Sequence, residues 1–260
     1  MYKKRFIITF IALICILCSC SNNSINSQSW YYNAINYEEL WKYSKGDSQK
    51  IAFIDSGIST KLEKELGDRI IYKHNVISDT DDVNDFESHG TQMISIACNT
   101  GSLGVYGLAT ESEILVIKVT DGQGKTESKY LSTAIKDAVV HGATIINMSI
   151  GGHKNEKILE EAIDYALMNN VTIIAAAGDY GNKDLLYPAK YDGVISVQGL
   201  DASFELWEYS NHEDCATITF PCQNIKAIGL DNSDRLIEVD STGTSQATSL
   251  VSAYVALLKD

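Results

Sequence analysis

The 260-residue chain carries 34 Asp and Glu against 21 Lys and Arg, a net charge of −13, and 45% of it is apolar. That is ample material for one large packed domain and marginal for two. So acidic a surface argues against nucleic acid or an anionic lipid face as partner. It suits either encounter with cationic peptides or plain solubility.

The chain opens with Lys3, Lys4 and Arg5, followed by an apolar run from Phe6 to Leu17. These are the basic and apolar regions of a signal peptide over residues 1–19. The run is too short for a comfortable membrane span. The sequence Leu17-Cys18-Ser19-Cys20 resembles the lipobox of bacterial lipoproteins. The resemblance implies cleavage before Cys20 and a lipid on its thiol, holding the chain at the outer face of the cell membrane. An ordinary signal peptide with incidental cysteines, and a freely secreted product, is the alternative. Residues 20–36 read as a lipidated tether and N-terminal segment, polar over 21–29. Loss of residues 1–19 removes three basic and no acidic residues and takes the net charge from −13 to −16. Of the later cysteines, Cys98, Cys215 and Cys222 lack metal-ligand spacing. Cys215 and Cys222 could pair in an exported chain.

Residues 37–260 read as one domain. Helical spacing in "YEELWKYSKGD" (37–47) puts Leu40 and Tyr43 on one side, with Gly46 as a stop. Five short, apolar and often β-branched runs follow: 51–54, 114–119, 144–148, 172–177 and 194–197. They predict strands buried on both faces. Between them, 132–143 aligns Ile135, Ala138 and Val139, and 156–170 aligns Ile158, Leu159, Ala162, Ile163 and Ala166. Strands alternating with such helices predict an α/β fold, a mainly parallel sheet with helices on both faces.

Three segments carry candidate chemistry. In "IAFIDSGI", Asp55 ends a strand, where functional groups collect in such sheets. In "ESHGTQMISIACN", His89 stands at a helix start beside a glycine. In "STGTSQATSLVSAYVALL", Ser245 opens a long apolar helix, whose free N–H groups suit a nucleophile that creates an oxyanion. Each has a plain structural reading alone: a turn cap, a satisfied histidine, an N-cap serine.

Together, in Asp–His–Ser order, the three resemble the signatures of the subtilisin-like serine proteases (peptidase S8), and the resemblance runs from about residue 30 to the C-terminus. It implies a three-layer subtilisin-like fold and a peptidase domain over 37–260. It implies Ser245 as nucleophile, His89 as general base and then acid, and Asp55 as the group that orients the imidazole. "INMSIGG" looks like the family's substrate-binding strand. Ser149, Ile150, Gly151 and Gly152 would offer an edge for a peptide substrate to pair with. The glycines, with Gly178, would leave an open mouth for the side chain before the cut bond. A G-x-S-x-G hydrolase is disfavoured, because Ser245 lies in "GTSQA".

"AAAGDYGN" looks like the segment that supplies the oxyanion-hole side chain, usually Asn after the Gly. Here that position is Asp179. An ionised carboxylate has no hydrogen to donate. Three arrangements stay open: a protonated Asp179 that donates an O–H, an Asp179 turned away to leave the Ser245 N–H alone, or an inactive relative. Active family members with Asp here are known among the prohormone convertases. Further departures are Gln246, Ala247, Thr248 and Ser249 after the nucleophile, where Met and Pro are usual, an end at Asp260 that would leave the serine helix less covered, and no room for a propeptide.

"YGNKDLLYP" would line the rear of the pocket for the residue before the cut bond. Asp184 there could attract a basic side chain, though a solvated loop carboxylate is the simpler reading. "CNTGSLGV" (98–105) resembles a calcium loop of the family, and the acidic run "DTDDVND" (79–85) reads as a solvated loop. No cofactor or metal is assigned. The function implied is a secreted serine endopeptidase, monomeric, acting on a peptide or protein substrate. A dedicated processing role fits, such as removing the leader of a lantibiotic-type precursor. The alternative is a weak or inactive relative that binds peptides for immunity or sensing.

Overall fold

The computed structural model describes residues 29–213 and 216–260. The expected signal peptide, Cys20, nearly all of the polar tether and Cys215 lie outside these residues. Among the described residues no helix is long and apolar enough to cross a membrane.

Among the described residues seven α-helices and nine strands follow one another. The helices are α1 (Trp30–Ala34), α2 (Tyr37–Leu40), α3 (Thr60–Leu66), α4 (His89–Cys98), α5 (Ser128–Val140), α6 (Lys157–Met168) and α7 (Thr244–Lys259). The strands are β1 (Lys50–Asp55), β2 (Ile70–Asn75), β3 (Glu113–Lys118), β4 (Ile145–Met148), β5 (Thr172–Ala176), β6 (Ile195–Leu200), β7 (Ile218–Pro221), β8 (Ile225–Leu230) and β9 (Leu236–Ser241). The first seven strands form one sheet in the order β2-β3-β1-β4-β5-β6-β7. Every pairing in it is parallel. β8 and β9 form a separate antiparallel hairpin.

Each strand residue pair splits between two cores, because side chains alternate across a strand. Ile51, Phe53, Ile114, Val116, Ile145 and Ile174 face the side of α4 and α7. Ala52, Ile54, Leu115, Ile117, Ile146 and Ile173 face α5 and α6. The fold is therefore the three-layer, doubly covered parallel sheet that the alternation of runs implies.

Several local expectations change. Helix α2 stops at Leu40, and Tyr43 is 81% exposed rather than on a buried face. Ile158, assigned to the buried face of α6, is exposed. In the N-terminal segment, Tyr31, Tyr32 and Ile35 are buried in the α4/α7 core, and the Tyr37 hydroxyl donates to the Gly107 carbonyl at 2.7 Å. Helix α7 is well covered, with eleven residues buried between sheet and α4, from Thr244 to Leu257. Cys98 and Cys222 are buried free thiols, both pushed up to about 12 by burial.

Candidate active site

From β1 the chain crosses to the edge strand β2 and returns to β3 beside β1, while from β4 onward it steps out on the other side, so a crevice opens above the carboxyl ends of β1 and β4. Asp55 ends β1 at that crevice and is 1% exposed. Its Oδ1 accepts from the Ser56 N–H and faces His89 Nδ1, each at 2.7 Å. Asp55 Oδ2 is buried with no hydrogen-bond partner among the described residues. His89 is the first residue of α4, and two glycines let that helix approach the Asp55 loop. A Cβ on Gly90 would stand 2.3 Å from the Gly57 carbonyl oxygen, and Gly57 itself holds φ +108°. No other residue fits this crossing.

Asp85 arranges the His89 turn. Although it closes the acidic run read as solvated, it is 2% exposed. Its Oδ1 accepts from the Glu87 and Ser88 N–H groups and from Ser56 Oγ, and its Oδ2 from the Thr91 N–H and hydroxyl. The carboxylate thus caps α4 from the preceding loop and ties it to the Asp55 loop. Buried Lys118 adds a second tie, donating to the carbonyls of Ser56 at 2.9 Å and Asn84 at 2.6 Å. The sequence signals neither role, since both depend on contacts between loops far apart in the chain.

Ser245 sits in the first turn of α7. Its hydroxyl donates to the Ser149 carbonyl at 3.3 Å. Among the described residues no hydrogen bond joins it to His89, a contact that commonly tightens only with substrate in place. The Ser245 N–H has no partner among these residues, so it is free to meet an oxyanion at the positive end of the helix. Asp179 is turned to α7. Its Oδ1 accepts from the Thr244 N–H at 2.9 Å and the Thr244 hydroxyl at 2.7 Å. Asp179 is therefore not turned away: it lies against the start of the serine helix with Oδ1 as an acceptor that caps it, and an ionised carboxylate there offers the oxyanion site no donor.

A cleft of about 340 Å³ beside Asp55 and His89 is lined also by Glu87, Thr120, Ser149 and Gly151. Beside it lies a cavity of about 550 Å³ with Leu131, Ile150, Leu159 and Tyr187 among its walls. The backbone of Ile150 and Gly151 makes no hydrogen bond among the described residues, which leaves an edge for an added strand. Gly152 is different: it exchanges two hydrogen bonds of 2.8 Å with Tyr187. Asp184 does not face the cleft as a free charge, because it pairs with Lys190, which also holds Glu213 at 3.0 Å.

The loop resembling a calcium site does not fit the ion. Its Cys98 carbonyl accepts from the Arg69 guanidinium at 2.9 Å, and Asn99 Nδ2 donates to the Ser102 and Val105 carbonyls. Three of the loop's carbonyl oxygens are thus already engaged by nitrogen donors of the chain. Among the described residues no group of three or more His, Cys, Asp or Glu is placed to hold a metal ion.

The electrostatics of His89 set a pH dependence. Burial works against its charged form, but the Asp55 charge and hydrogen bond, aided by Asp85 and Glu87, outweigh it and raise the pKa from 6.5 to about 9. A base must be neutral to take a proton, so kcat/KM is expected to climb through neutral pH and level off above about 9. Glu87→Gln removes one supporting charge and should move that rise to lower pH. A profile already flat at pH 7 would contradict this reading. The stability contributed by the raised pKa is fully present below 6.5 and is lost as pH rises through about 9.

The geometry has counterparts among known proteins. The subtilase family (Peptidase_S8) matches residues 46–260. The Major intracellular serine protease of Bacillus subtilis (strain 168) is 34% identical over 85% of this chain and 72% of its own length. The Minor extracellular protease Epr of the same organism is 30% identical over 94% of this chain and 37% of its own length. The chain therefore spans little more than a third of that second relative. Among solved structures, the Prenylagaramide maturation protease PagA superposes with a TM-score of 0.72 at 28% identity, covering 85% of this chain and 79% of its own.

Proposed function

The chain belongs to the subtilase family of serine proteases, and from that premise we propose that it is a processing endopeptidase acting through Asp55, His89 and Ser245. In this reading His89 takes the Ser245 proton as Oγ attacks the peptide carbonyl. Asp55 holds the imidazole with Nε2 toward the serine, and the Ser245 N–H meets the oxyanion. The protonated His89 then passes its proton to the leaving amine, and water releases the acyl group. The observation that carries the assignment is the 2.7 Å contact of His89 with a buried Asp55 beside a serine at a helix start.

The processing role is supported by the likeness to a maturation protease at a TM-score of 0.72. A lantibiotic or bacteriocin leader is the substrate class we propose. Export, with lipid on Cys20, is supported by the basic and apolar start of the chain and its "LCSC". The peptide-binding reading draws on Asp179, which gives the oxyanion site no donor. Incubating the folded protein with a mixture of unstructured peptides and mapping the ends tests the choice. New ends that vanish with Ser245→Ala support proteolysis, while binding without new ends supports capture alone.

A further inference from the structure

The glycines on the two walls of the cleft lead the sequence to an open mouth for the residue before the cut bond. The structure fills that mouth. A substrate strand laid along Ser149–Gly151 must bring its reacting carbonyl to Ser245 Oγ, which lies 3.3 Å from the Ser149 carbonyl oxygen. The side chain of the residue that owns this carbonyl alternates toward the body of the protein. It would enter the gap between the segments that prolong β4 (Ser149–Gly152) and β5 (Ala177–Gly178).

Leu186 stands in that gap. A Cβ on Gly151 would lie 2.8 Å from Leu186 Cβ and 3.0 Å from its Cδ1. A Cβ on Gly178 would lie 2.8 Å from both Leu186 Cγ and Cδ1. One side chain thus touches both walls, and it is 5% exposed. Nor can it swing aside with its loop. The Leu186 N–H donates to the Ala177 carbonyl at 3.0 Å, while the next residue, Tyr187, pairs with Gly152 through two hydrogen bonds of 2.8 Å. Further out, the walls are bridged again by the rings of His153 and Tyr180, whose centroids are 5.5 Å apart.

We propose that Leu186 is a specificity-determining residue that floors this pocket and restricts cleavage to bonds following Gly, Ala or Ser. This rests on the reading that Ser245 cuts peptides. A large side chain would have to displace a packed leucine held from both sides, and an interior this close-packed yields little.

The test uses peptides of one sequence that differ only in the residue before the cut bond: Gly, Ala, Ser, Leu, Phe or Lys. Labelling with a fluorophosphonate first counts working Ser245 sites, so an unlabelled protein counts against the proteolysis reading rather than against Leu186. In the labelled parent, kcat/KM for Ala should exceed that for Phe by about 10- to 100-fold, the scale of steric discrimination in apolar pockets. Leu186→Gly should reverse the order, and Leu186→Ala, the milder change, should admit Leu. Equal cleavage after Phe and Ala by the parent would overturn the proposal. So would a Phe:Ala ratio unchanged in both variants. If there is no turnover, binding of product peptides ending in Ala or Phe to the Ser245→Ala protein makes the same comparison. Equal affinity there would also overturn it.

Discussion

Asp179→Asn is expected to raise kcat about 10- to 100-fold with little change in KM. The substitution keeps an oxygen that can accept from the Thr244 N–H and hydroxyl, the two contacts made by Asp179 Oδ1. It exchanges the other carboxylate oxygen for an amide that can donate. The capped helix is preserved while the charge at its start is removed. Loss of one oxyanion donor slows a subtilisin by about 10²–10³. A gain below that full range is expected here, because the new amide must still be oriented by Gly178 and Thr244. An effect on kcat alone is the mark of a contact made only as the oxyanion develops. Single-turnover kinetics on one peptide would check it, and an unchanged or lower rate would mean that Asp179 does not limit the reaction.

Asp55→Asn should cost about 10⁴ in kcat at neutral pH, as loss of the corresponding carboxylate does in other Ser-His-Asp enzymes. Asp55 accepts from both the Ser56 N–H and His89 Nδ1 through the same oxygen. An amide oxygen in that place keeps both contacts only by burying its NH₂ where Oδ2 has no partner among the described residues; the flipped amide turns its NH₂ toward both. Where its NH₂ faces His89, the imidazole must turn Nδ1 into an acceptor, which puts the proton on Nε2 where the base is needed. The substitution also removes the main charge that raises the His89 pKa, so what activity remains should reach its plateau at lower pH than the parent's. A loss of less than about tenfold in a variant that melts like the parent would exclude Asp55 from this role.

The parts of the site that chemistry fixes by side-chain type were readable in advance. A strand-end Asp, a helix-start His and a helix-start Ser each stand in a short local pattern, and the structure brings Asp55 and His89 into contact. The central strands were equally plain, because burial on both faces leaves unbroken apolar runs. What stayed hidden depends on distant neighbours. β2, "IIYKHN", is an edge strand with polar residues on both faces, so its sequence looks like a loop. Asp85 closes an acidic run and only the approach of α4 to the Asp55 loop buries it. Leu186 lies in a stretch read as a pocket lining, and that its side chain is the floor follows from where Gly151 and Gly178 bring their backbones. The orientation of Asp179 was likewise set by Thr244, which is 65 residues away.

Ser245 is the proposed nucleophile, activated by His89 even though an ionised Asp179 gives the oxyanion site no donor. Labelling the folded protein with a fluorophosphonate, followed by peptide mass mapping, tests it most directly. One adduct is expected, on Ser245, lost in Ser245→Ala, forming faster above pH 9 than at pH 6 and faster still in Asp179→Asn. A folded parent that takes no label at either pH, with Asp179→Asn equally inert, would contradict it.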